Sequence, residues 1–344
     1  MGNVIVSNIT RTPVENGSNW GSVSAPSSPG LTGTFTEGNT ITLAGSGYGT
    51  LGVTTKYDDF EDGTNGQLIS ARPDWSTAKG NGGDDPIVVS ETSYAGSLCG
   101  KSPIALAGDS ATYLVGDFRE VYAAFAYKGR INSGEPSADT VKGFRVNQNA
   151  AGNPYSGSPG IYEQEIIDEF SEKNRRRVST RPEFETTGSA KSYYPSGKPS
   201  NDTWTYLEYY WKQGDAGSAN GIIKQWKDLS VSLNLSDVIT NNAGVTQSWK
   251  AALLPFYWGN GSGGDHFYDL VHISFDQGQA KVMATDNAVY ASSTKREAMN
   301  TLTRVDGEIA FKVPANTFTP ASTVYIHVID VSGASIANYS TEVA

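Results

Sequence analysis

The sequence predicts an all-β protein: a large antiparallel jelly-roll sandwich carrying a second, small β-sandwich. Three observations predict it. Strand-forming residues are abundant, with aromatics at 11% of 344 residues and 38 glycines to supply turns. No stretch keeps the apolar period of a long helix. Short runs of apolar residues are instead separated by Gly, Pro, Asn and Asp clusters.

The elements follow in order. A short strand over 3–9 leads into a Gly/Ser/Pro-rich arm at 14–32, and a strand over 39–45 comes next. From 57 to 275 the runs lengthen: 119–128 "REVYAAFAYK", 141–147 "VKGFRVN", 161–167 "IYEQEII", 203–212 "TWTYLEYYWK", 220–227 "NGIIKQWK", 248–258 "SWKAALLPFYW" and 266–275 "HFYDLVHISF". Their length and spacing suit two packed antiparallel sheets. After 276 short alternating strands return at 307–318 and 322–340. There Tyr325, His327 and Ile329 share one face, and Val324, Ile326 and Val328 the other. Neither the opening 50 residues nor the closing 69 hold enough strands for a sandwich alone, but together they have about the seven of an immunoglobulin-like domain. The expected division is 1–52 and 276–344 as the two parts of an Ig-like domain, with 53–275 inserted as the jelly roll.

A net charge of −10 argues against nucleic-acid and anionic-membrane partners, which need surplus Lys and Arg. The basic cluster "KNRRR" at 173–177 precedes Glu183 and Glu185 and reads as a solvated loop. The one cysteine, Cys99, excludes an internal disulfide and reads as a small buried side chain. No apolar run is long enough for a membrane-spanning helix, and "MGNVIVSNITRTP" has no secretory pattern.

"GTFTEGNTITLAGSGYGT" resembles the opening of IPT/TIG-type immunoglobulin-like domains, with Tyr48 where Phe is usual. "YDDFEDGTNGQ" and "GGDHFYDLVHIS" resemble the first and last strands of concanavalin A-like jelly rolls, and "YYWKQGDAGSANGIIKQWKD" their hairpin. That superfamily includes lectin-like modules, glucanases and polysaccharide lyases, so the resemblance implies a fold and leaves the function open.

Four groups of residues are candidates for chemistry. Glu163 and Glu165 stand two apart on a strand, about 7 Å from each other, and paired carboxylates can cleave glycosides. A lyase needs a Tyr or His base and a group that neutralises a uronate carboxylate, for which Tyr209 and Arg145 are available. Tyr209, Trp211, Tyr257 and Trp258 could stack on sugar rings. Asp59, Glu61 and Asp269 are hard oxygen donors suited to a structural Ca²⁺. His266 and His272 are expected on one strand face, too far apart to share a metal.

The acidic, all-β chain resembles accessory virion proteins of tailed bacteriophages. That resemblance implies a non-enzymatic capsid decoration, head fibre or spike, made in the host cytoplasm. Its Ig-like part and arm would dock to other virion proteins, in a homo-oligomeric assembly, while the jelly roll binds surface polysaccharide. The alternative is a polysaccharide lyase or glycoside hydrolase on the same scaffold. A third reading is an exported adhesin module.

Overall fold

The structure is a computed structural model describing residues 30–45, 48, 55–73, 75–78, 86–103, 110–131, 141–147, 160–165, 176–181, 191–193, 195–196, 199–241, 248–254, 257–258 and 264–344, with backbone path and register alone for parts of these strands. The strand expected over 3–9 and residues 14–29 of the arm expected over 14–32 lie outside the described residues, and residues 30–32 form a strand rather than loop.

The described strands begin with β1 Gly30–Thr32, β2 Thr40–Ala44, β3 Thr55–Asp58, β4 Ser76–Ala78, β5 Ile87–Val89, β6 Cys99–Pro103, β7 Ser110–Phe118 and β8 Glu120–Ile131. Next come β9 Val141–Asn147, β10 Gly160–Glu165, β11 Arg176–Arg181, β12 Lys191–Tyr193, β13 Thr205–Lys212, β14 Gly221–Lys227, β15 Ser230–Val238, β16 Trp249–Leu253, β17 Tyr257–Trp258 and β18 Gly264–Phe275. The chain finishes with β19 Lys281–Thr285, β20 Arg296–Ala298, β21 Asn300–Val305, β22 Glu308–Lys312, β23 Thr323–Ile329 and β24 Ser335–Glu342. Arg176 and Arg177, expected in a solvated loop, open strand β11 instead, because β10 offers them a pairing edge.

The all-β fold class is as the sequence predicts. In the large sandwich the first sheet runs β15-β14-β13-β8-β18-β6-β5 with β3 also on β18, and the second runs β12-β11-β10-β9-β16-β7-β4 with β17 also on β9. The small sandwich has sheets β1-β2-β22-β21 and β20-β19-β23-β24, so its first sheet joins strands from both ends of the chain.

Alternation along β8 and β13 explains how the layers stack. Val121, Ala123, Phe125 and Tyr127 of β8, with Leu207, Tyr209 and Trp211 of β13, enter the core against Phe144, Val146 and Trp249 of the second sheet. Ring centroids of Phe144 lie 5.2 Å from those of both Tyr209 and Trp211. Each such fully buried side chain stabilises the fold by about 1.5–3 kcal/mol. The small sandwich has its own core of Phe35, Ile41, Leu43, Phe311, Ile326 and Val328, among others.

The opposite face of the first sheet is covered too. Tyr122, Ala124, Ala126, Tyr206 and Tyr210 pack against Met283, Ala298 and Ile329 of the small sandwich. At this junction Lys281 Nζ lies 3.6 Å from Glu208 Oε2 and 3.6 Å above the Tyr122 ring, while Tyr122 donates to the same carboxylate at 2.6 Å. Burial pushes the Lys281 ammonium down to about 8.

His266 and His272 do not share a face. A β-bulge in β18 between Asp269 and His272 sets two residues against one of β8, and Leu270 there takes φ 49°. His266 therefore meets the Tyr127 hydroxyl, a member of the core, at 2.9 Å. His272 lies on the other face, between the Tyr57 and Tyr122 rings. Burial holds both rings neutral, with pKa values pushed down to about 3.

Candidate functional site

What covers the first sheet decides which broad face of the large sandwich is left for a partner. The small sandwich roofs the first sheet, so among the described residues the outer face of the second sheet is the one left. Strand β9 lies inside that sheet. Phe144 and Val146 turn into the core, so Arg145 between them turns outward. Leu253 does the same on β16, between Ala252 and Leu254 of the core. Arg145 is nevertheless only 3% exposed and Leu253 0%, so this part of the outer face is sheltered.

Register assembles the rest. Arg145 stands opposite Tyr162 of β10 on one side and Leu253 of β16 on the other. A neighbouring row brings Arg177, Gln164, Lys142 and Tyr257 together across β11, β10, β9 and β17. The next row is Arg176, Glu165, Val141 and Trp258. Neighbouring strands are about 5 Å apart, so each row presents its residues at the spacing of sugar hydroxyls and carboxylates. Strand alternation places the row of Arg177, Gln164, Lys142 and Tyr257 on the same face as Arg145 and Tyr162, and the row of Arg176, Glu165, Val141 and Trp258 on the opposite face. The set on the Arg145 face can hold an anionic sugar chain and move a proton on it.

Of the residues expected from sequence, this sheet brings Arg145 and Tyr257 to one face, while alternation puts Glu163, Glu165 and Trp258 on the other. Glu163 stands opposite Val178, between the Tyr162 and Gln164 positions of β10. Tyr209 and Trp211 are a correction. Both are 0% exposed and belong to the core, because β13 directs its odd-numbered residues between the two sheets. Neither ring is available to a sugar. Tyr162, Gln164 and Lys142 were missed by sequence reasoning; "IYEQE" contains the first two, but only the pairing with β9 reveals their neighbours.

The calcium expectation meets a different set of contacts. Asp59 Oδ2 accepts the Ala315 amide at 3.2 Å, and Glu61 accepts the amides of Ser97 and Leu98 at 2.8 and 2.7 Å. Asp269 accepts the amides of Tyr94, Ala95 and Leu270 at 2.9, 3.1 and 2.7 Å. These carboxylates tie loops to strands, and among the described residues no group of three acidic, His or Cys side chains is placed to hold a metal ion. Burial pushes Asp269 up to about 8 despite its three amide donors. Asp58, next in sequence, engages Arg72 through 2.6 and 2.9 Å contacts and accepts from Trp75 Nε1 at 2.7 Å.

No protein-family model matches the chain, and no curated protein sequence matches it. Solved structures of similar fold include an endo-β-1,4-glucuronan lyase from the fungus Trichoderma reesei, at 10% identity over 61% of this chain and 94% of that one, with a TM-score of 0.44. The alginate lyase Aly36B is similar at 14% identity over 65% of this chain and 97% of that one, with a TM-score of 0.43. The carbohydrate recognition domain of Emp47p is similar at 12% identity over 61% and 94%, with a TM-score of 0.38. The expectation of a non-enzymatic virion accessory protein is corrected by these findings, since the similar structures named here are lyases and a carbohydrate recognition domain, not particle components.

Proposed function

We propose that the chain is a polysaccharide lyase acting on uronate-containing glycans along the outer face of the second sheet. The observation that supports this most is the register pairing of Arg145 with Tyr162, flanked by the row Arg177, Gln164, Lys142 and Tyr257. In β-elimination a base removes the proton beside the uronate carboxylate. Its electron pair forms the new C=C bond, and the glycosidic C–O bond breaks with a proton delivered to the leaving oxygen. Arg145 has the fixed charge to neutralise the carboxylate and acidify that proton. Tyr162, as a phenolate beside Arg145, takes the proton and then returns it to the leaving oxygen, and Tyr257, on the same face, stacks on an adjoining sugar.

Incubation with polyuronates such as alginate or glucuronan tests the proposal, read by the ultraviolet absorbance of the unsaturated product. Tyr162→Phe and Arg145→Ala should each lower turnover by about 10²-fold or more while the fold persists. Binding of the polymer without unsaturated product would replace the lyase with a recognition module. No interaction with any acidic polysaccharide would overturn the reading of this face.

A further inference from the structure

The junction between the sandwiches concentrates buried polar atoms that have no hydrogen-bond partner. On the first sheet, Tyr57 and His272 stand directly opposite each other, and Ser274 lies two residues further along the same strand. Among the described residues Tyr57 Oη and Ser274 Oγ are buried without partners, and of the two buried His272 ring nitrogens one faces the Met299 backbone and the other has no partner. From the small sandwich, β20 abuts β18 and β21 abuts β3. These strands contribute Glu297 Oε2 and Thr301 Oγ1, which are likewise buried and unpartnered. Glu297 uses its other oxygen to accept the Thr317 amide at 3.1 Å. His272 and Ser274 are each 1% exposed, and Glu297 is 0%.

We infer that this junction is a hydration site, in which bound water bridges Tyr57, His272 and Ser274 of the large sandwich to Glu297 and Thr301 of the small one. Marginally stable proteins do not leave so many polar atoms unsatisfied in one interface. The chemistry fits water better than an ion. A neutral imidazole has one donor and one acceptor nitrogen, the three hydroxyls can each do both, and the carboxylate oxygen accepts. An interior water makes about three such bonds. Among the described residues no metal-holding group exists, and the nearby Lys281 ammonium already faces Glu208. Burial keeps His272 neutral, as this pattern requires.

Two measurements test the inference on the full chain. A high-resolution crystal structure should show ordered density within hydrogen-bond distance of His272 and Glu297; dry contact there would overturn it. Thermal unfolding of Tyr57→Phe and Ser274→Ala gives an independent sign. If water bridges these hydroxyls, each variant breaks a bond and the melting temperature falls by about 2 °C or more. An unchanged or raised melting temperature would mean that the hydroxyls are unbonded in the native protein, and the hydration site would be rejected.

Discussion

Arg72 shows how much one side chain can hold. Its guanidinium is 7% exposed, grips Asp58 in a bidentate pair, and also reaches Asp62. Removing one partner of a buried pair leaves the other charge uncompensated, so Arg72→Ala should lower stability by about 3–5 kcal/mol in urea unfolding. Arg72→Lys should restore only part of it, because an ammonium cannot match the fork. Asp269 carries the pH dependence. Its folded pKa, near 8, lies above the ordinary 3.8, so between these values the native state holds a proton that the unfolded state has lost. The contribution of this group to stability is complete below the lower value and is lost as pH rises towards the upper one; Glu297, raised to about 7, acts in the same direction. Asp269→Asn should therefore flatten the fall in urea midpoint between about pH 5 and about pH 8. Single residues were also where sequence reading misled most. Tyr209 and Trp211 sit on a strand with aromatics on both sides, and composition does not say which side meets a sugar and which meets Phe144.

Among the elements, β13 explains that ambiguity. Residues 205–211 are all buried, with one face in the large core and the other under the small sandwich. A strand buried on both faces loses the alternation that would separate inside from outside. Strand β18 hides its bulge for a related reason: a single extra residue reverses every later side chain, and nothing in "HFYDLVHISF" marks where it falls. By contrast, the candidate rows on β9, β10 and β17 contain Arg145 and Tyr257, which were legible individually, although their company was not. Strand β6 approaches β18 closely because Gly100 faces Tyr268. A Cβ at Gly100 would lie 2.2 Å from Tyr268 Cε2 and 3.0 Å from Phe60 Cζ. Gly100→Ala should cost roughly 1–3 kcal/mol by overpacking, seen as a lowered thermal midpoint.

On the scale of the whole molecule, the all-β class and the pairing of a large with a small sandwich were legible, since period-two patterning and turn spacing set them locally. The roofing of the first sheet was not, because it arises where two separately patterned units meet. The virion reading failed for another reason: it leaned on general composition and on patterns the sequence lacks, and neither specifies a row of residues. The small core depends on Phe35, Ile41 and Leu43 from the opening of the chain. Deleting residues 1–45 should therefore abolish amide protection across β19 to β24, measured by hydrogen exchange, while the strands of the large sandwich keep theirs.

The opening and closing segments of the small sandwich touch. Phe35 pairs in parallel with Val343, and the Ala344 amide donates to the Phe35 carbonyl at 3.2 Å. That contact acts as a clock during synthesis. Strand β2 leaves the ribosome first, yet its neighbour β22 is made only after every strand of the large sandwich has been delivered. The hairpin of β1 and β2 must wait without its β22 neighbour through most of translation. The small sandwich is then the last of the described parts to close, and it closes only after the large one has been delivered.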